Sequence, residues 1–347
     1  MRAPFLFPPL LLPLVLAACA PATSPARTLP DTVAALPFPA DTSHLRVVVI
    51  GDQGTGTDVQ WRVAAAMQGV CVRDGCDLGI ALGDNFYPAG PKSLNSTLFH
   101  DRFEVPYGPL KVPFLVVPGN HDESWLAGGD GADSRGADVE VAYSRVNPQW
   151  VMPARQYRVP VGQLAEFFAV DTSPLAAYLP PRQADERAGG GWEVAQRAWL
   201  TGVLARSSAT WKLVLGHHPL FSNSVHGDAG HYDGLGLSFQ RGDGVRQLYD
   251  LACGHASMLL SGHDHALEVF SPQPECPATW TLVSGAVGNP SSPGGGKRPA
   301  AFEAYQQPGF MMLDLTPQAL GVQVYVLNAA GEATLAHTQV LTAPVQP

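Results

Sequence analysis

The chain has 347 residues, 46% of them hydrophobic and 15% charged, a composition that excludes a collagen, a coiled coil or a disordered tail as the main structure. With 21 Lys and Arg against 30 Asp and Glu, the net charge is -9, so the overall field repels phosphodiester backbones and argues against nucleic acid as a standing partner. The apolar runs stop short of the roughly 18 residues that a membrane helix needs.

At the amino end, Arg2 precedes the apolar runs Phe5–Phe7, Leu10–Leu12 and Leu14–Leu16, which close on Ala17, Ala18 and Cys19. A basic residue, an apolar core and small residues read as a secretory signal. Leu-Ala-Ala-Cys resembles the bacterial lipobox, which implies that residues 1–18 are a lipoprotein signal peptide. Cys19 then carries the lipid that holds the exported chain to a bacterial membrane or cell envelope; conventional cleavage near Ala18 is the alternative. Residues 19–43 contain Pro21, Pro25, Pro30, Pro37 and Pro39 without periodicity and read as a tether. Export permits disulfides. Of three possible pairings among Cys71, Cys76, Cys253 and Cys276, the local one, 71 with 76 and 253 with 276, is favoured; four free thiols are the alternative.

From Leu45 onward, apolar runs end repeatedly at polar, Gly-containing clusters. Leu45–Ile50 leads into Gly-Asp-Gln-Gly, 78–82 into Gly-Asp-Asn-Phe-Tyr, and 112–117 into Pro-Gly-Asn-His-Asp. Trp211–Leu215 leads into Gly-His-His-Pro, and 257–260 into Ser-Gly-His-Asp-His, with a two-strand return around Gly262. Continuous runs rich in Val, Ile and Leu point to strands covered on both faces. Helical patterns at 59–67 and 192–204 lie between them, and further strands are predicted at 280–286, 310–315 and 322–327. The architecture is therefore α/β, with several strands pointing the same way. Loops at the carboxyl ends of such strands converge, so the scattered clusters form one site. No boundary divides 44–345, which reads as a single catalytic domain.

The clusters supply Asp52, Asp84, Tyr87, Asn120, His217, His263 and His265, a hard oxygen and imidazole set suited to Fe, Mn or Zn. Seven ligands exceed what one open metal site uses, whereas two metals sharing a carboxylate use them all. His263 and His265 can address two metals from one turn, with Asp84 as the bridge. N-caps and turn residues after strands are the blander explanation, but Gly-His steps have no capping role.

The five motifs, in this order, resemble those of the calcineurin-like metallophosphoesterases. Tyr87 and the short single-domain build narrow the resemblance to purple acid phosphatases of the tartrate-resistant type, and Ala142-Tyr143-Ser144, Trp150 and Pro153 extend it along the chain. The resemblance implies two packed mixed sheets flanked by helices, with metals at the carboxyl ends of strands. It implies that Asp52, Tyr87 and His265 hold the first metal, that Asp84 bridges, and that Asn120, His217 and His263 hold the second. The more anionic first site favours Fe(III), and the second a divalent Fe, Zn or Mn. The implied activity is acid phosphatase hydrolysis of phosphate monoesters, by attack of metal-bound hydroxide on phosphorus. His121 and His226 would bind the ester or protonate the leaving group. A phosphodiesterase or nucleotide pyrophosphatase on the same centre, and an exported metal- or phosphate-binding lipoprotein without turnover, are the alternatives. The expected partners are a small phosphate ester and, through Cys19, a membrane; a monomer is expected.

Several neighbours receive lesser assignments. Asp122 either orients His121 or stabilises its turn. His218 is read as a neighbour standing behind the ligands or as structural, pointing away from the metals if it continues the strand. Gln53 departs from the tryptophan common in the first motif and alters packing near Asp52. Residues 173–191 resemble in position a loop that covers the site in family members, with a different composition, and Gly294–Arg298 reads as a solvated loop.

Overall fold

The computed structural model describes residues 27–343; the signal segment, Cys19 and the start of the tether lie outside the described residues. The buried Val, Ile and Leu runs assemble into two seven-stranded sheets. Across the first, the order is Ala333–Thr342, Ala319–Leu327, Gly309–Leu315, Leu45–Ile50, Leu78–Ala81, Phe114–Val116 and Trp150–Val151. Across the second it is Phe302–Ala304, Leu267–Phe270, Trp280–Ser284, Met258–Ser261, Trp211–Leu215, Ala165–Ala169 and Tyr157–Val161. Both sheets are mixed: in the first, the strands from Leu45–Ile50 to the Trp150–Val151 edge are parallel and the rest antiparallel, whereas the second has a parallel centre between antiparallel outer strands.

Strands buried at almost every position need cover on both faces, and the packing supplies it. One apolar core gathers side chains from both sheets and from the helix Asp58–Asp74. A second joins the other sheet to the helices Gly191–Arg206 and Asp243–Asp250. Helix Asp58–Asp74 starts where the Thr57 side chain accepts the Gln60 N–H, and stops at Gly75, whose φ is 86°. It outruns the predicted 59–67 because the buried face continues through Val70. Cys71 pairs with Cys76 beside its end, and Cys253 with Cys276, as the sequence favours.

The strands predicted before all five motifs are present. The two-strand return around Gly262 is not a hairpin, however: Trp280–Ser284 lies between Met258–Ser261 and Leu267–Phe270. The turn carrying His263 and His265 therefore spans the width of that inserted strand.

The described part of the proposed tether also departs from expectation. Its backbone bonds to the strand at Arg158, with Ala34 N–H to Arg158 O and Arg158 N–H to Thr32 O both at 2.9 Å. Asp31 pairs with Arg158 at 2.8 Å and Arg206 at 3.3 Å. Leu29, Leu36 and Phe38 pack against the two cores, so apolar residues between the prolines hold this stretch on the domain. Among the described residues no helix is long and apolar enough to cross a membrane.

Candidate metal centre

The parallel strands of both sheets end at one place, and the residues just beyond them turn sharply. Asp52, Asp84 and His263 have φ values of 57°, 51° and 66°, a left-handed region uncommon for non-glycine residues and costing about 1–3 kcal/mol each. Such turns direct the side chains back across the strand ends. The adjacent glycines permit close approach: a Cβ on Gly262 would lie 2.6 Å from Asp52 Oδ2, and one on Gly83 2.6 Å from His217 Nδ1. The Gly-Asp and Gly-His steps visible in the sequence are thus the points where loops from the two sheets meet.

All seven predicted ligands come together, in two groups that share Asp84. On one side the Tyr87 hydroxyl lies 2.8 Å from Asp84 Oδ2, 3.1 Å from Asp52 Oδ1 and 3.1 Å from His265 Nε2. On the other, His217 Nε2 lies 3.3 Å from Asp84 Oδ1 and 2.8 Å from Asn120 Oδ1, which is 3.0 Å from His263 Nδ1. Carbonyl groups behind the ligands set their orientation. His217 Nδ1 donates to Leu82 O, and His265 Nδ1 to Asn289 O, both at 2.8 Å. The Asn120 amide donates to Gly129 O at 2.9 Å. Each therefore turns a lone-pair atom inward, as outer partners of metal ligands do.

This crowding of acceptor atoms calls for positive charge. Asp52 Oδ2 is buried with no partner. Burial, and then the Asp84 charge against the opposing pull of His217, hold the Asp52 carboxyl well above its usual range. Burial, followed by Asp52 and Asp84, pushes the Tyr87 phenol up as well. His217, though burial opposes its charge, is pushed up to about 9 by Asp84 and Asp52. Protons or cations relieve the same cluster, and the donor set of three imidazoles, two carboxylates, a phenol and an amide oxygen fits two metal ions joined by Asp84.

A cavity of about 300 Å³ opens on this cluster, lined by Asp84, Asn120, His121, His263 and His265, with Gly129, Tyr178 and His226 among its walls. Both predicted proton-handling histidines are on it. His121 Nδ1 donates to Pro88 O at 2.8 Å, and its Nε2 is 4.0 Å from Asp84 Oδ2. The His226 ring stacks on His263 at 4.3 Å, and its Nδ1 donates to Asp233 Oδ1 at 2.8 Å. Burial opposes charge on His226, but the Asp233 hydrogen bond and the Asp264 and Asp233 charges leave its pKa raised.

Sequence reasoning missed three contributors: Asp130, Tyr178 and Asp233. The Asp130 carboxylate accepts backbone N–H groups of Trp125, Leu126, Ala127 and Ala132, and so shapes the turn that presents Gly129 O to Asn120. The Trp-Leu-Ala-Gly-Gly-Asp-Gly run signals a turn, but nothing in it says where the turn docks. Tyr178 brings residues 173–191 to the cavity wall and donates to Asp233 at 2.9 Å.

Other assignments are settled or corrected. Asp122 is a turn residue: it accepts from the N–H groups of Gly119, Asn85 and Phe86, whereas His121 is oriented by Pro88. His218 does not point away. Its strand ends at Leu215, so alternation no longer applies, and its ring stands 4.3 Å from His263 with Nδ1 paired to Thr172 Oγ1 and Nε2 unpartnered. Gln53 is buried and donates to Asn85 Oδ1 at 2.8 Å. In the 294–298 loop Lys297 is exposed, but Arg298 is fixed on Asp228 at 2.6 Å and over the Phe221 ring at 3.8 Å.

Known proteins resemble this chain. Human tartrate-resistant acid phosphatase type 5 is 28% identical over 262 residues, covering 69% of this chain and 73% of that protein. Among solved structures, GAP50, the anchor in the inner membrane complex of Plasmodium, superposes with a TM-score of 0.67 at 18% identity, over 87% of this chain and 90% of that one. A purple acid phosphatase from yellow lupin (Lupinus luteus) seeds gives 0.62 at 18%, over 88% of this chain and 55% of that one. These structures share the fold. The profile of the calcineurin-like phosphoesterases matches residues 45–267, from the first strand of the domain past the last histidine of the centre, and the chain belongs to that family.

Proposed function

We propose that the chain is a dinuclear-metal acid phosphatase that hydrolyses phosphate monoesters. One observation carries the reading: two ligand groups joined through Asp84 open on a cavity that also presents His121 and His226. Two ions bound there supply Lewis acidity at phosphorus and a water nucleophile of lowered pKa. The rest falls to the chain's own side chains. His121 and His226 each commit Nδ1 to a fixed acceptor, so Nε2 is the nitrogen left to bind a phosphoryl oxygen or to give a proton to the departing alkoxide. The Gly129 turn and Tyr178 wall the cavity and exclude water from one side of the ester.

The more anionic group, with Asp52, Tyr87 and a share of Asp84, supports Fe(III) there, and the neutral Asn120, His217 and His263 support a divalent ion beside it. The leader sequence supports export, with Cys19 as the lipid attachment point. A panel of alkyl monoesters, aryl monoesters and diesters, offered to the metal-loaded protein, tests the reading. Monoesters are expected to be turned over fastest, and a preference for diesters or pyrophosphates would replace the assignment with the rival on the same centre.

A further inference from the structure

His226 is held by a residue that no motif predicts. Asp233 lies seven positions on, beyond Gly227, whose φ is 84°, and its loop folds back so that the Asp233 N–H donates to His226 O at 3.2 Å. Its carboxylate oxygen Oδ1 then accepts from two donors, His226 Nδ1 at 2.8 Å and the Tyr178 hydroxyl at 2.9 Å. Tyr178 is itself pinned on both sides of its backbone. Its N–H donates to Asp130 O at 2.9 Å, and its carbonyl accepts from the Gln240 side chain at 2.9 Å. From the opposite direction, the His226 backbone N–H donates to Asp264 Oδ1 at 2.9 Å, in the turn between His263 and His265. Three loops far apart in sequence thus converge around His226, with Asp233 bonded to its ring and Asp264 to its backbone.

We propose that Asp233, braced by Tyr178, is the positioning residue of His226. A carboxylate only accepts, so the bond requires the proton on Nδ1. That leaves Nε2 as the nitrogen facing the cavity, with the ring clamped between Asp233 and the face of His263. A histidine on a glycine-containing loop would otherwise sample both tautomers and several rotamers, and few of these aim Nε2 at the ester. Asp233 touches neither substrate nor metal ligand in this arrangement; it acts through His226. Tyr178 does line the cavity, so one side chain ties the substrate-facing wall to the orientation of the proton-handling group.

The inference rests on the reading that His226 acts on the bound ester, and its test separates the two. On an alkyl monoester, Asp233→Ala is expected to lower kcat by about ten- to a hundredfold, the usual cost of losing an outer partner, with KM and metal content nearly unchanged. Asp233→Asn, whose amide oxygen can still accept from Nδ1, is expected to recover most of the rate. In a His226→Ala background, Asp233→Ala should cost nothing further; additive losses would overturn the positioning role. Independently of activity, ¹⁵N spectra of histidine-labelled, zinc-loaded protein should show His226 as the Nδ1–H tautomer in the wild type and as a mixture in Asp233→Ala. An unchanged tautomer would overturn the inference even if both variants are slow. If His226→Ala keeps the full rate, it is the functional reading that fails, and the spectra still decide whether Asp233 sets the ring.

Discussion

Asp84 divides its carboxylate between the two halves of the centre, with Oδ2 2.8 Å from the Tyr87 hydroxyl and Oδ1 3.3 Å from His217 Nε2. Each oxygen thus faces a different group. Asp84→Asn is therefore expected to reduce binding of both ions, where loss of a one-sided ligand such as His265 weakens one. The fall in kcat/KM should exceed the ~100-fold typical of an outer-shell partner, and elemental analysis should find less than one ion per chain. Retention of two tightly held ions would remove the bridging role.

Tyr87 is needed for neither the bridge nor the second group. As a phenolate on Fe(III) it should give a visible absorption band. Tyr87→Phe is expected to abolish that band and keep activity within about tenfold, since the seven-ligand set loses one member and no bridge. An iron-loaded wild type without colour would separate this chain from the purple enzymes while leaving the metallophosphoesterase assignment in place.

His226 is expected to matter in proportion to the difficulty of the leaving group. His226→Ala should retain its metals and lose roughly ten- to a thousand-fold on alkyl monoesters, whose alkoxide needs a proton. The loss should be smaller on nitrophenyl phosphate, whose leaving group departs unaided. Equal losses on both would assign His226 to phosphate binding, and wild-type rates on both would return it to an ordinary loop residue.

A buried charge cluster around Arg155 sets a pH dependence of stability. Arg155 faces Asp171 at 3.0 Å, Glu186 at 2.7 Å and Glu123 at 3.8 Å, three carboxylates for one guanidinium. Burial and then the Asp171 charge hold Glu123 well above its usual range. Burial, opposed by Arg155 and aided by Glu186, raises Asp171 from 3.8 to about 6. Carboxyls raised in the native state bind more protons folded than unfolded, so their contribution is complete below the ordinary carboxyl range and is lost as pH rises through about 6. Glu123→Gln keeps the shape and removes one titrating group. Between about pH 5 and pH 8 its Tm should fall less than that of the wild type, by roughly 2–4 °C for each 1 kcal/mol of ionisation cost removed. Parallel profiles would show that Glu123 does not hold the proton.

Much of this site is legible in the sequence because several ligands sit two or three residues beyond apolar strands. Ile50 leads to Asp52, Ala81 to Asp84 and Leu215 to His217, and burial makes such strands unmistakable. The glycines beside them mark where backbones cross closely. What the sequence does not display is contact between loops: Tyr178, Asp233 and Asp130 meet the site through turns of ordinary composition, and no periodicity records where a turn docks. His218 escapes strand alternation for a related reason: its strand ends at Leu215 and the histidine lies beyond it. Residues 27–43 carry the proline content of a tether, yet Leu29, Leu36 and Phe38 pack against the cores and Asp31, Thr32 and Ala34 bond to Arg158, over a hundred positions away.

The most direct test of the central claim is the rate of alkyl monoester hydrolysis by metal-stripped protein as metal is added back in known equivalents. Two groups sharing Asp84 require both ions, so activity should stay near zero through the first equivalent when that one binds tightly, rise with the second and saturate at two per chain. Full activity in the stripped protein, or saturation at a single equivalent, would contradict the account.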